Sequence, residues 1–209
     1  MKPRVRGLYA IIDNTSIPSW SHRDLARLYL EGGAQFLQLR MKEKRDYPDR
    51  VIQVIREILP LKKEYSFCFI LNDYLDLALE MNLDGFHGGA DDPQPPESRC
   101  LLRDEKIIGT SSHSIEEACA AEKAGADYVA FGAIFPSPSK GHCHPVQGIE
   151  KLRKVVGRLQ VPVVAIGGIN RDNVKEVLET GVSSIAMIQA LTGATDVVNE
   201  TKFYAGLFS

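Results

Sequence analysis

No two of the four cysteines, Cys68, Cys100, Cys119 and Cys143, stand in a C-x-x-C spacing. That excludes a zinc knuckle and gives no disulfide framework, so reduced thiols are expected. Cys68 and Cys119 sit in apolar stretches and read as core fillers. There is no basic block either: 25 Lys plus Arg face 27 Asp plus Glu, a formal net charge of -2. Nothing here tracks a nucleic-acid backbone, and a small-molecule partner is expected instead. The longest apolar runs, such as residues 161–166, are far too short to span a bilayer, and the Arg-containing start has no apolar signal core. The expectation is a cytoplasmic protein with no membrane partner. Linkers and low-complexity segments are also lacking, and 44% hydrophobic side chains suffice for one core, so residues 1–209 are expected to form a single domain.

What is present is a regular alternation. Short β-branched runs at residues 8–12, 36–40, 67–71, 85–87, 106–110, 128–132, 161–166 and 184–188 alternate with segments of helical period. Ser21 with Asp24, and Ser114 with Glu117, have the spacing of capping boxes, and Gly32 with Gly33, Gly125 and Gly181 supply helix stops. An apolar face of Val174, Val177 and Leu178 precedes the last of these. The proline-rich patch around Pro93, Pro95 and Pro96 reads as a βα loop. Eight strands in steady βα alternation favour a closed (β/α)8 barrel over the doubly wound open sheet, whose local pattern is the same. At 209 residues such a barrel must have short loops.

In a parallel barrel the residues just past each strand's carboxyl end face one pocket. Gln38, Arg40 and Lys42 alternate and so project one way, a set suited to an anion, although a salt-bridged strand end has the same composition. Asn72-Asp73 and Asp91-Asp92 place carboxylates on adjacent loops, where they could hold magnesium beside phosphate; Asn72 or Asp73 could equally cap a helix. Ser111 could bind phosphate, and His113 could move protons or simply pack at a helix start. Ser137, Ser139, Lys140 and Gly141 have the makings of an anion cradle, as does any hydroxyl-rich surface turn. His142-Cys143-His144 offers no second pair for a tetrahedral site, so zinc is not expected. Gly167-Gly168 either admits a ligand to backbone amides or only turns the chain.

Together these runs resemble the thiamine-phosphate synthase family: Gln38-Leu39-Arg40-Met41-Lys42, Leu71-Asn72-Asp73, Asp84-Gly85-Phe86-His87, Ser111-Ser112-His113, Gly125-Ala126-Asp127-Tyr128-Val129, the turn from Phe135 to Lys140, and Pro162 to Ile169. The resemblance covers nearly the whole chain. It implies a (β/α)8 barrel that joins a pyrimidine diphosphate to a thiazole phosphate with magnesium and releases pyrophosphate. By the same resemblance Gln38, Arg40, Lys42 and Asn72 would hold the diphosphate, Asp73 and Asp92 the magnesium, and Ser111 and Lys140 the pyrophosphate. Ser137 and Ser139, standing where the family usually has threonines, would hold the thiazole phosphate with Gly168, Ile188 and Gln189. Three positions depart from the family pattern. Gly89-Ala90-Asp91 precedes Asp92 where Gly-Gln is typical, Gln189 replaces a small serine, and Tyr74 follows Asp73 where arginine is frequent. These changes bear on substrate identity more than on fold. Two alternatives stand beside the synthase: a thiazole tautomerase using His113 as acid and base, and a non-catalytic phosphate-ligand binding barrel. The sequence leaves a homo-oligomer open.

Overall fold

The computed structural model describes residues 4–15, 17, 20–41, 48–136 and 145–208. Its strands are short and almost wholly buried because each has apolar side chains on both faces, as strands of a closed parallel sheet must. They are β1 (Gly7–Ile12), β2 (Phe36–Leu39), β3 (Cys68–Asn72), β4 (Gly85–Gly88), β5 (Ile107–Ser112), β6 (Tyr128–Gly132), β7 (Val163–Ile166) and β8 (Ser184–Met187). All pair in sequence order, and β8 closes on β1, with Gly7 opposite Ser184 and Ala10 opposite Met187. The protein is a (β/α)8 barrel. Its helices are α1 (His22–Glu31), α2 (Pro48–Ile58), α3 (Leu75–Glu80), α4 (Pro95–Leu102), α5 (Ile115–Lys123), α6 (Gly148–Arg158), α7 (Val174–Leu178), α8 (Gln189–Thr192) and α9 (Val197–Gly206). None of them is long and apolar enough to cross a membrane.

Strand alternation divides the core into two layers. Leu8, Ala10, Leu37, Leu39, Phe69 and Phe131 face outward against the helices, whereas Tyr9, Ile11, Phe36, Ile70, Tyr128 and Val164 fill the barrel. The barrel holds the Tyr128 ring only because β5 has no side chain beside it: a Cβ on Gly109 would lie 2.0 Å from that ring. Gly109→Ala is therefore expected to destabilise the protein by about 3 kcal/mol in urea unfolding. An unchanged midpoint would mean that the ring moves aside at no cost.

The helix signals act largely as the sequence suggests. Ser21 and Ser114 accept hydrogen bonds from the backbone N–H groups of Asp24 and Glu117, at 3.0 and 3.1 Å. The reciprocal half of each box differs. The Asp24 carboxylate accepts from the Ser21 hydroxyl at 2.6 Å, and Glu117 accepts from the His113 backbone at 2.6 Å. Gly33, at φ 89°, is the left-handed stop of α1, while Gly32 is right-handed and gives α9 room to approach, since a Cβ there would meet Thr201 at 2.4 Å. The proline patch is not wholly loop. Pro95 opens α4, where a missing N–H is harmless.

Two aspartates of the quoted motifs serve the fold. Asp84, just before β4, accepts from the Phe69 backbone at 2.7 Å and pairs with Lys62. Asp127, just before β6, accepts from the Ile108 backbone at 2.7 Å and pairs with Arg99. Each ties the start of one strand to its neighbour, at the end of the barrel opposite the carboxyl-terminal mouth.

Candidate active site

Gln38 is the third residue of β2 and is buried inside the barrel, where its amide donates to the Tyr9 hydroxyl at 3.2 Å. Arg40 lies one residue past the strand, anchored by its backbone N–H to the Ile12 carbonyl at 3.0 Å, and its guanidinium forms an ion pair with Asp13 at the end of β1. Asp13 also accepts from the Thr15 backbone at 3.0 Å and the Thr15 hydroxyl at 2.5 Å. Burial pushes the Asp13 carboxyl up, but the Thr15 hydrogen bonds and the Arg40 charge outweigh it and hold the carboxyl below its ordinary value. The salt-bridged reading of this strand end thus holds for Arg40, and it leaves a partly exposed guanidinium with a fixed direction.

Asp13→Asn is expected to cost about 2 kcal/mol at neutral pH. Because the folded-state value is depressed, the stabilisation is present above the unfolded value of about 3.9 and is lost as pH falls through the folded one. The gap between wild type and variant in urea unfolding should narrow below about pH 4. A gap constant across that range would show that the carboxylate charge contributes nothing.

Asn72 ends β3 and is buried; Asp73 follows with φ 67°, its N–H bonded to the His87 carbonyl at 3.0 Å. The N-cap position of α3 is Tyr74. Across the β4 loop, Asp92 accepts from the Gly89 backbone at 2.9 Å, and the Gln94 amide donates to the Asp92 carbonyl at 2.8 Å. Asp73, Asp76, Asp91 and Asp92 line one cavity of about 320 Å³ with Leu75, Pro93 and Leu101. Among the described residues no three His, Cys, Asp or Glu side chains converge into a ready metal cage. A hard ion that takes a few carboxylate oxygens and completes its shell with water and phosphate fits this donor set, and magnesium is such an ion.

Ser111 is the penultimate residue of β5, and its hydroxyl lies 3.0 Å from His87 Nε2. His113 is held twice, by its backbone N–H to Glu117 and by Nδ1 to the Gly132 carbonyl at 2.6 Å. A carbonyl only accepts, so Nδ1 carries the proton. This bond fixes the tautomer and the orientation of the ring.

After β7, Gly167 and Gly168 have φ values of 100° and 69°. A Cβ on Gly167 would lie 2.6 Å from Ala133 Cβ, and one on Gly168 2.5 Å from the Pro136 carbonyl oxygen. What approaches these glycines closely is the loop after β6. Ile188 follows β8 and packs on the inner apolar layer. Gln189 begins α8 and lines a second cavity, about 550 Å³, with Arg171, Thr195, Asp196, Asn199 and Glu200; neither Gly168 nor Ile188 is among its described lining residues. Lys42, Ser137, Ser139 and Lys140, and the His142-Cys143-His144 triplet, lie outside the described residues.

Sequence reasoning missed Asp13 and the two buried phenols, Tyr9 and Tyr128. For the phenols the available signal was a polar group at an inward position of an otherwise apolar strand, which two-residue periodicity identifies once the barrel is assumed.

Residues 8–191 match the family model described as thiamine monophosphate synthase. A thiamine-phosphate synthase from Chlorobium phaeobacteroides is 44% identical over 179 residues, covering 86% of this chain and 86% of the relative. One from Methanospirillum hungatei is 38% identical, covering 96% and 97%. Among solved structures, a thiamine phosphate pyrophosphorylase from Pyrococcus furiosus superposes with a TM-score of 0.85 at 39% identity, covering 97% of this chain and 95% of that one.

Proposed function

Because this chain belongs to the thiamine monophosphate synthase family, we propose that its barrel mouth joins a pyrimidine diphosphate to a thiazole phosphate, forming thiamine phosphate and releasing pyrophosphate. The observation that carries this reading is the grouping of unlike functions on successive strand ends. Arg40 follows β2, Asn72 ends β3 and Asp73 follows it, Asp92 lies in the β4 loop, and Ser111 lies at the end of β5.

The chemistry asks little of a protein nucleophile. The bond between the pyrimidine methylene carbon and the diphosphate oxygen breaks, with the electron pair leaving on pyrophosphate. The thiazole nitrogen then donates its lone pair to the methylene carbon. The protein's work is to stabilise charge on the leaving group and to hold two substrates in register. Arg40, with Asp13 fixing its direction, suits bidentate contact with diphosphate oxygens. Gln38 and Asn72, with Lys42 by family resemblance, would complete that grip. Ser111 would donate to the leaving pyrophosphate, joined by Lys140. Asp73 and Asp92 would hold magnesium, which when bound offsets diphosphate charge. By resemblance Ser137, Ser139, Gly168, Ile188 and Gln189 belong to the thiazole phosphate.

Incubating the purified protein with both substrates, with and without magnesium, and following pyrophosphate and thiamine phosphate tests the proposal. Equal amounts of both products, dependent on magnesium, are expected. Isomerisation of the thiazole phosphate with neither product would overturn it in favour of a tautomerase, and binding without turnover in favour of a binding barrel.

A further inference from the structure

Five polar side chains from five strands form one hydrogen-bonded line through the barrel interior. Gln38 Nε2 donates to the Tyr9 hydroxyl at 3.2 Å. The Tyr9 and Tyr128 hydroxyls lie 2.8 Å apart, and Tyr128 lies 2.8 Å from His87 Nδ1. His87 Nε2 then meets the Ser111 hydroxyl at 3.0 Å. Tyr9 and Tyr128 are 1% and 0% exposed, so water does not take up unused protons. The Tyr128 ring is also fixed by stacking on His87, with centroids 5.5 Å apart, and by edge contact with Tyr9 at 5.7 Å.

Counting protons gives this line a direction. Burial pushes both phenols well above their ordinary range, so each keeps its one proton. An amide nitrogen only donates, which makes the Tyr9 oxygen an acceptor at its Gln38 end. The Tyr9 proton then has one neighbour to go to, the Tyr128 oxygen. The Tyr128 hydroxyl in turn donates to His87 Nδ1. A neutral imidazole that accepts at Nδ1 carries its proton on Nε2, and that N–H donates to Ser111 Oγ. The opposite sense would bring two donors onto Tyr9 and leave its own proton without an acceptor among the described residues, inside the barrel. An unmade hydrogen bond of that kind costs about 1–3 kcal/mol.

We infer that Tyr9 and Tyr128 are positioning residues: they lock His87 as its Nε2–H tautomer, and the Ser111 hydroxyl, already supplied with a donor, is left to point its own proton into the barrel mouth toward a phosphate oxygen. The ligand end of this inference rests on the proposed role of Ser111. The tautomer end rests only on the interior geometry. Ser111 thereby becomes a dedicated donor. Its hydroxyl no longer has to rotate away from the imidazole as charge develops on the leaving group, which is the benefit of preorganised donors.

Long-range ¹H–¹⁵N correlation NMR on the full chain with labelled histidines tests this, with the His87 signals assigned by their loss in His87→Asn. The ligand-free wild type is expected to show His87 protonated at Nε2 and not at Nδ1. Tyr128→Phe removes the donor to Nδ1 while keeping the ring, so the Nε2–H pattern should give way to a mixture of tautomers. Turnover should fall about tenfold, with KM for the pyrimidine diphosphate changed less than twofold. A His87 protonated at Nδ1 in the wild type overturns the inference without recourse to any variant. So does a folded Tyr128→Phe with unaltered tautomer and kcat. A wild type that shows the Nε2–H tautomer but makes no thiamine phosphate overturns the proposed function and supports the tautomer, which is read without substrate.

Discussion

Arg40→Ala is expected to lower kcat/KM for the condensation by about a thousandfold and to destabilise the fold by about 3 kcal/mol. The two effects have separate origins. The first is loss of a guanidinium aimed at the diphosphate, which acts most strongly as the leaving group gains charge. The second arises because Asp13 stays behind, its side chain only 6% exposed, still hydrogen-bonded to Thr15 but without the guanidinium charge. Removing one member of a buried pair leaves the other charge uncompensated. The double variant Asp13→Asn/Arg40→Ala separates the terms: it should recover most of the stability and none of the rate. Steady-state kinetics together with urea unfolding of the single and double variants measure both. If Arg40→Ala keeps a rate within tenfold of wild type, the guanidinium belongs to the fold alone.

The second large effect concerns the two carboxylates in the cavity between the β3 and β4 loops. Asp92→Asn should reduce kcat about a hundredfold at a fixed magnesium concentration and raise the concentration needed for half-maximal rate at least about tenfold. Asparagine is the informative replacement because its amide oxygen can still accept from the Gly89 backbone, the bond that shapes the loop at 2.9 Å. Asp73→Asn tests the partner carboxylate under the same logic. Asp73 sits at φ 67°, a conformation that Asn tolerates and Ala does not, so an alanine variant would mix backbone strain with lost charge. Magnesium titrations of activity read both variants. An unchanged half-saturating concentration in each would remove these carboxylates from metal binding.

How much of the site was legible depended on the range of the interactions involved. Asp73 and Asp92 were placed on adjacent loops by counting strands, and they do line one cavity. The order of strand ends is fixed once eight βα units close, so residues of β2 to β5 had to share a mouth. The ion pair that holds Arg40 was not legible, since Asp13 stands 27 residues away and belongs to no recognisable spacing. Gln189 shows the reverse case. It follows β8 as the site arithmetic requires, yet it opens a helical turn and lines the cavity bordered by Arg171 and Glu200. A residue's place in the chain past a strand gives its height on the barrel, whereas the first helical turn decides which way it looks.

The sequence by itself determined the eight strands, to within two residues at each end, the helix starts at Ser21 and Ser114, and the barrel that follows from them. Those features rest on local periodicity and on hydrogen bonds spanning three or four residues. Only the tertiary structure decided that Tyr9 meets Tyr128 across 119 residues, that Gly109 is vacant to admit the Tyr128 ring, and that the line from Gln38 ends on Ser111. The reason is closure. Which inward side chains face each other is set by the stagger of β8 against β1 and by how large and small residues share one enclosed volume, and neither quantity is carried by any short stretch of chain.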